Sequence, residues 1–266
     1  MMIWSEKTDD TQKQRAGGVV VNVPHRQALL MQIETELLAD RGFGIATLNL
    51  DHVVKLRTSP EFLAAYMRHS LVTADGNPIV WLSRLAGQDV SLIPGSELIE
   101  PVVEIATRHA LPIALFGSTP ASLDGAGTAL EKAFPGLKIA ARLAPPMGFD
   151  PTGPAADVLI DELAASGARI CFLALGAPKQ EIFAARAMGR LPQIGFLSIG
   201  AGLDFIAGHQ RRAPKIIRLM AAEWLWRFAS NPRRLAARYM ACIAILPGLC
   251  VQALRTRRRL NRGMSR

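Results

Sequence analysis

Apolar and polar positions along the chain switch between two periods. Residues 27–39 (QALLMQIETELLA) carry apolar side chains at helical spacing and run into Arg41-Gly42, which predicts a helix with a glycine stop. Residues 44–50 (GIATLNL) are a short apolar run without alternation, the pattern of a strand buried on both faces. Ser59-Pro60 opens a helix through Arg68, with proline at the first helical position. Residues 71–74 form a brief apolar run ending in the turn signal Asp75-Gly76, and residues 78–85 restart a regular element. Gly95-Ser96 opens a helix over 97–109.

Beyond that point strands and helices alternate regularly. Strands are predicted at 112–116 (PIALF), 137–143, 169–175 (RICFLAL) and 193–199 (QIGFLSI). Helices are predicted from Pro120 to about Phe134, over 157–166 and from Gln180 onward. The alternation predicts an α/β fold, a Rossmann-like and mostly parallel sheet with helices on both faces. Residues 1–22, polar and then apolar without period, read as a mobile arm; 23–204 as the α/β core; 205–266 as a separate basic appendage.

Composition and charge refine this picture. Half of the residues are hydrophobic and a fifth are charged, a balance that excludes disorder and low-complexity fibre. Three scattered cysteines, Cys171, Cys242 and Cys250, offer neither a disulfide framework nor a zinc site, which favours a reducing compartment. The polar N-terminus lacks the features of a signal peptide. Of the 31 Lys+Arg and 22 Asp+Glu, the residues after Asp204 hold 14 bases and one acid, Glu223. The preceding body keeps 17 bases against 21 acids. A slightly acidic body thus carries a strongly basic end, with 13 arginines and a single lysine, Lys215. Such a segment calls for an anionic partner.

Its apolar residues indicate which partner. Residues 239–254 (YMACIAILPGLCVQAL) are an uncharged run of 16, preceded by Arg233, Arg234 and Arg238 and followed by Arg255, Arg257, Arg258 and Arg259. Basic clusters around an apolar block suit an anionic membrane surface. Nucleic-acid binding is not expected, because basic residues would then interleave with aromatic or polar ones. Pro247-Gly248 interrupts the run, which is shorter than the roughly 18 residues of a membrane span. A core helix, or an interface helix in a homo-oligomer, is the alternative.

Ligands of an open parallel sheet bind beyond the carboxyl ends of its strands. Four loops fall there: 49–52, 117–120, 176–181 and 200–204. Glycine followed at once by a helix aims backbone N–H groups at an anion such as a nucleotide diphosphate, although strand-to-helix turns use glycine anyway. No G-x-G-x-x-G follows the first strand and no P-loop or G-x-S-x-G elbow is present, which argues against dehydrogenase, P-loop nucleotidase and serine hydrolase chemistry. The five histidines show no ligand spacing, so no metal is expected. Asp75 sits in a turn between two apolar segments. There a carboxylate can act as a general base, and an ordinary Asp-Gly turn is the plainer reading.

An ordered series of motifs goes further. It begins with Thr47-x-Asn49-x-Asp51-His52-Val53-Val54, Ala74-Asp75-Gly76-x-Pro78-Ile79-Val80-Trp81 and Ser83-Arg84-Leu85-x-Gly87. It continues with Pro94-Gly95-Ser96-x-Leu98-Ile99, Phe116-Gly117-Ser118, Gly176-Ala177-Pro178-Lys179-Gln180-Glu181 and Gly200-Ala201-x-x-Asp204-Phe205-x-x-Gly208. It closes with Arg212-Ala213-Pro214, Glu223-Trp224-Leu225-x-Arg227 and Pro232-x-Arg234-Leu235. Over roughly residues 44–239 the chain resembles the WecG/TagA/CpsF family of bacterial glycosyltransferases, glycosyltransferase family 26.

The resemblance implies transfer of a hexose from a UDP-sugar to a polyprenyl-diphosphate-linked sugar, for cell-surface polysaccharide synthesis at the cytoplasmic face of the plasma membrane. It implies inversion to a β-linkage, with no metal and no cofactor. By the same resemblance Asp75 is the general base, and Thr47, Asn49 and Gln180 surround the nucleotide sugar. Arg227, Arg234 and Arg238 belong to an appendage that closes over the diphosphate and touches the membrane. The sugar is N-acetylmannosamine, its uronic acid or glucose. One departure stands out: where the family often carries a basic residue just before the Gly95 position, Ser91-Leu92-Ile93-Pro94 supplies no charge. A non-catalytic nucleotide-binding scaffold of the same fold is the alternative reading.

Overall fold

A computed structural model describes residues 19–210 and 232–263. Six strands, β1 (Phe43–Leu48), β2 (Leu71–Ala74), β3 (Ile113–Gly117), β4 (Ile139–Leu143), β5 (Ile170–Ala174) and β6 (Gly195–Ser198), form one sheet in the order β2-β1-β6-β5-β3-β4. Every pairing is parallel. The helices are α1 (Arg26–Leu38), α2 (Leu50–Thr58), α3 (Pro60–Tyr66), α4 (Asn77–Leu85), α5 (Ile99–Arg108) and α6 (Pro120–Ala133), then α7 (Pro154–Ser166), α8 (Lys179–Met188), α9 (Gly202–Ile206) and α10 (Pro232–Gly263). The predicted α/β class with a parallel sheet is what the chain adopts.

Side-chain alternation along the strands splits the core into two layers. Ile45, Leu115 and Phe172 face one side with Leu29, Ile33 and Leu37 of α1 and Val102 and Val103 of α5. The opposite side is covered in two blocks. Ala46, Leu48 and Val72 pack with Val53, Phe62, Tyr66 and Ile79, while Phe116, Leu173 and Phe196 pack with Ile160 and Phe183. Edge strand β4 is only half-buried, consistent with its weak sequence pattern.

Three details depart from the pattern reading. The first strand ends at Leu48, and a helix absent from the prediction follows. Asn49 caps it, its side-chain oxygen accepting from the His52 N–H at 3.0 Å. The expected arm extends to about residue 22, of which residues 1–18 lie outside the described residues. From Val19 on, the segment belongs to the core: Val19, Val20 and Val21 are buried, and the Asn22 side chain bonds the Val72 N–H and the Ser70 carbonyl.

The third departure is the C-terminal helix. Pro247 lies inside α10, which runs on for 32 residues. A proline removes one ladder donor and crowds the preceding turn. Here burial on both sides, Leu246 and Ile245 before it and Leu249 after it, holds the helix in line. Among the described residues one segment, Leu235–Arg262, is long and apolar enough to cross a membrane. It is nonetheless docked on the core. α10 packs against α2 and α4, with Leu249 and Ala253 fully buried and Arg238 paired to Asp51 at 3.0 Å. Met240, Ile243, Val251 and Leu254 are exposed.

One-sided docking predicts one-sided sensitivity. Leu249→Ala is expected to cost about 2–5 kcal/mol in chemical unfolding, whereas Val251→Ala costs under about 0.5–1 kcal/mol. Equal, small losses would mean that the core does not hold α10.

Candidate active site

Because all strands are parallel, their carboxyl ends share one edge, and the run β2-β1-β6-β5 brings most of the predicted residues together. Thr47 pairs in register with Thr73 and Leu48 with Ala74. The Asp75 N–H then bonds the Leu48 carbonyl at 2.7 Å, carrying the ladder one residue past the strands. Gly76, at φ +103°, turns the chain away, and a Cβ there would stand 3.9 Å from the Asn49 Cβ. Asp75 and Asn49 are therefore neighbours at the ends of adjoining strands. Asp75 is half-buried and engaged with its surroundings.

Thr47 is buried below them. The Pro94-Gly95-Ser96 segment crosses the ends of β1 and β6 so closely that a Cβ on Gly95 would fall 2.5 Å from the Ser198 carbonyl oxygen and 3.3 Å from the Thr47 methyl. Only glycine allows that approach.

Gln180 arrives from the far side. Its Oε1 accepts from the Gly176 N–H after β5 and from the Gly200 N–H after β6, both at 3.2 Å. These donors, expected to be free for an anion, are thus satisfied internally. Gln180 itself is buried, and it braces two turns that meet at the sheet edge. Its Nε2 donates to Glu181 Oε1 at 2.8 Å.

A buried polar layer that sequence reasoning missed lies beneath these residues. Glu181 is fully buried, and desolvation pushes its pKa up to about 7 against the Gln180 hydrogen bond, which lowers it. His52 lies 3.3 Å from the Tyr66 hydroxyl through Nδ1, and burial drives its pKa down to about 3, so the imidazole is neutral. Burial, then the charges of Glu181 and Asp75, hold the Tyr66 phenol well above its ordinary value. At the opposite, amino edge of the sheet, against Gly44, His69 is also held neutral by burial, at about 4, with Nδ1 donating to the Ala65 carbonyl at 3.0 Å.

Lys55 and Arg238 grip Asp51 at 2.7 and 3.0 Å, and Lys55 Nζ also donates to the Ala177 carbonyl at 3.0 Å. This joins α2, the 176–178 loop and α10. Arg238 is therefore near the site but engaged by a carboxylate. Arg227 lies outside the described residues, as does the side chain of Arg234. A separate shallow groove of about 410 Å³ between α1 and α5, bordered by Arg26, Glu34 and Arg108, contains none of the candidate residues.

A model of the glycosyl transferase WecG/TagA/CpsF family matches residues 15–261. The chain belongs to that family. The chain is also similar to the N-acetylglucosaminyldiphosphoundecaprenol N-acetyl-beta-D-mannosaminyltransferase of Bacillus spizizenii. The two are 26% identical over 211 residues, which cover 78% of this chain and 79% of that enzyme. The family match thus takes in most of this chain, including nearly all of the C-terminal helix.

The raised pKa of Glu181 carries a testable sign. The unfolded chain releases this proton near the ordinary carboxyl value of 4.5, the folded protein only near 7. The stability contributed by the neutral form is complete below about pH 4.5 and is lost as pH rises through about 7. His52 and His69 act with the opposite sign, as pH falls, and cancel when a variant is compared with the wild type. Glu181→Gln is expected to gain stability relative to the wild type between about pH 4.5 and 7, by up to about 3 kcal/mol in urea unfolding. A difference independent of pH would mean that Glu181 ionises as it does in water.

Proposed function

We propose that the chain is an inverting hexosyltransferase that uses a UDP-sugar and a polyprenyl-diphosphate-linked acceptor sugar. The observation that carries this reading is the placement of Asp75 beside Asn49 and above Thr47, at the ends of adjoining strands in a member of this family. Asp75 takes the proton of the acceptor hydroxyl as that oxygen attacks the anomeric carbon. The bond from that carbon to the diphosphate breaks on the opposite face, and UDP leaves with the electron pair. One displacement inverts the centre and gives a β-linkage. The sugar is N-acetylmannosamine, the group named for the Bacillus spizizenii relative, and the acceptor is the corresponding lipid-diphosphate N-acetylglucosamine.

The charge of departing UDP needs stabilising. Two N–H groups at the sheet edge are already spent on Gln180, which favours arginine for this role. Guanidinium groups meet phosphate oxygens in bidentate fashion. Arg227 and Arg234, with Arg238 held by Asp51, are the candidates.

The same reading places the enzyme peripherally on the cytoplasmic face of the plasma membrane. With one side of α10 docked on the core, Met240, Ile243, Val251 and Leu254 remain outward, next to exposed Arg255, Arg257, Arg258 and Arg259. That combination suits a helix lying flat in an anionic interface. Each basic residue there contributes on the order of 1 kcal/mol.

Two measurements test the reading. Asp75→Asn is expected to keep UDP affinity and lower turnover roughly 10²- to 10⁴-fold in a UDP-release assay with UDP-N-acetylmannosamine and a lipid-diphosphate acceptor. Near-normal turnover in the folded variant would reject the base, and absence of UDP release by the wild type with any UDP-sugar would favour a scaffold. Replacing Arg255, Arg257, Arg258 and Arg259 with glutamine is expected to weaken co-sedimentation with anionic liposomes and leave binding to neutral ones unchanged. Identical sedimentation of both proteins at low salt would remove the electrostatic part.

A further inference from the structure

We propose that Glu181 is a positioning residue for the transferase: its buried carboxyl fixes the orientation of the Gln180 amide, and that amide ties the turns after β5 and β6 together. The inference rests on the reading of this strand edge as the donor site.

An amide side chain offers an acceptor on one arm and two donors on the other, in nearly the same shape. Gln180 Oε1 faces two backbone donors, the N–H groups of Gly176 and Gly200. A reversed amide would set donors against donors. Glu181 Oε1 excludes that state from the other arm, because it accepts from Nε2 at 2.8 Å. Successive residues on a helix diverge by about 100° and do not ordinarily meet. In the first turn of α8 both of these side chains are instead turned inward.

What the amide holds is a spacing. β5 and β6 are hydrogen-bonded neighbours with Leu173 opposite Ser198, and each is followed by a glycine in the left-handed region, Gly176 at φ +72° and Gly200 at φ +57°. Among the described residues nothing lies within 4 Å of where a Cβ would stand on either glycine. The two turns are therefore bare on their side-chain faces, where a ligand can approach the backbone, and joined behind by one oxygen.

The carboxyl is costly where it sits. Glu181 is fully buried, and among the described residues its Oε2 has no hydrogen-bond partner. An apolar side chain of similar volume would pack there with less desolvation. Orientation of Gln180 is what the carboxyl supplies and a leucine does not.

The experiment uses the full chain and the variants E181L, E181Q, Q180A and the double variant Q180A/E181L. Amide hydrogen exchange at Gly176 and Gly200 reads the spacing directly, and calorimetric titration with UDP reads its consequence. E181L is expected to speed exchange at those two amides roughly tenfold or more, with β1 and β3 amides unchanged, and to weaken UDP binding roughly tenfold. E181Q, whose side-chain oxygen still accepts from Gln180, stays within about threefold of the wild type in both. In the Q180A background E181L adds nothing further, since the residue acts through Gln180. Unchanged exchange at the two glycines in E181L overturns the inference, as does an additive double variant. Should E181L fail to fold, E181Q exchanging as fast as Q180A overturns it, and E181Q matching the wild type while Q180A is fast supports it. Failure of the wild type to bind UDP would sink the donor reading, while the exchange data still decide the role of Glu181.

Discussion

The parallel direction of all six strands is the constraint on which the site depends. A parallel sheet sends every strand-to-helix turn out at the same edge. The order β2-β1-β6-β5 then sets four such turns side by side, although they come from chain segments more than a hundred residues apart. Asp75, Asn49, Gly200 and Gly176 are neighbours for that reason alone. Had β2 run antiparallel, Asp75 would emerge at the opposite edge from Asn49.

Within this frame the edge is stiffened by polar groups turned inward. Asn49 spends its side-chain oxygen on a helix cap, Gln180 on two glycine turns, and Asp51 on Lys55 and Arg238. Each contact closes a junction between elements that apolar packing leaves underdetermined. The neutral His52 and the raised Glu181 mark how dry this layer is. In such surroundings a satisfied polar group confers more geometric definition than it does in water, and an unsatisfied one costs more.

Much of this was legible in the sequence, and the exceptions have physical causes. β1, β3, β5 and β6 announce themselves because strands buried on both faces are uninterrupted apolar runs. The α2 helix was hidden because Leu50 and Val53 extend the apolar run of β1, and Asn49 resembles a strand end until its cap is seen. Pro247 looked like a break because local chemistry says so; burial of Leu249 and Ala253 against α2 and α4 overrides it. The motifs located Thr47, Asn49, Asp75 and Gln180, and the fold places them along one edge. Glu181, next to Lys179 and Gln180 at a helix start, has the look of a solvated first-turn acid. Its burial arises only when α8 packs against α3, a contact no local pattern encodes.

The clearance at Gly95 bears on the engineering of new donor preferences. With the Ser198 carbonyl 2.5 Å from where a side chain would begin, the crossing segment and the end of β6 fit as a matched pair. A chimaera that imports one of them from a relative inherits a mismatch in backbone height, whichever residues line the pocket. Grafts between family members therefore need to exchange both stretches together, even though about a hundred residues separate them in the chain.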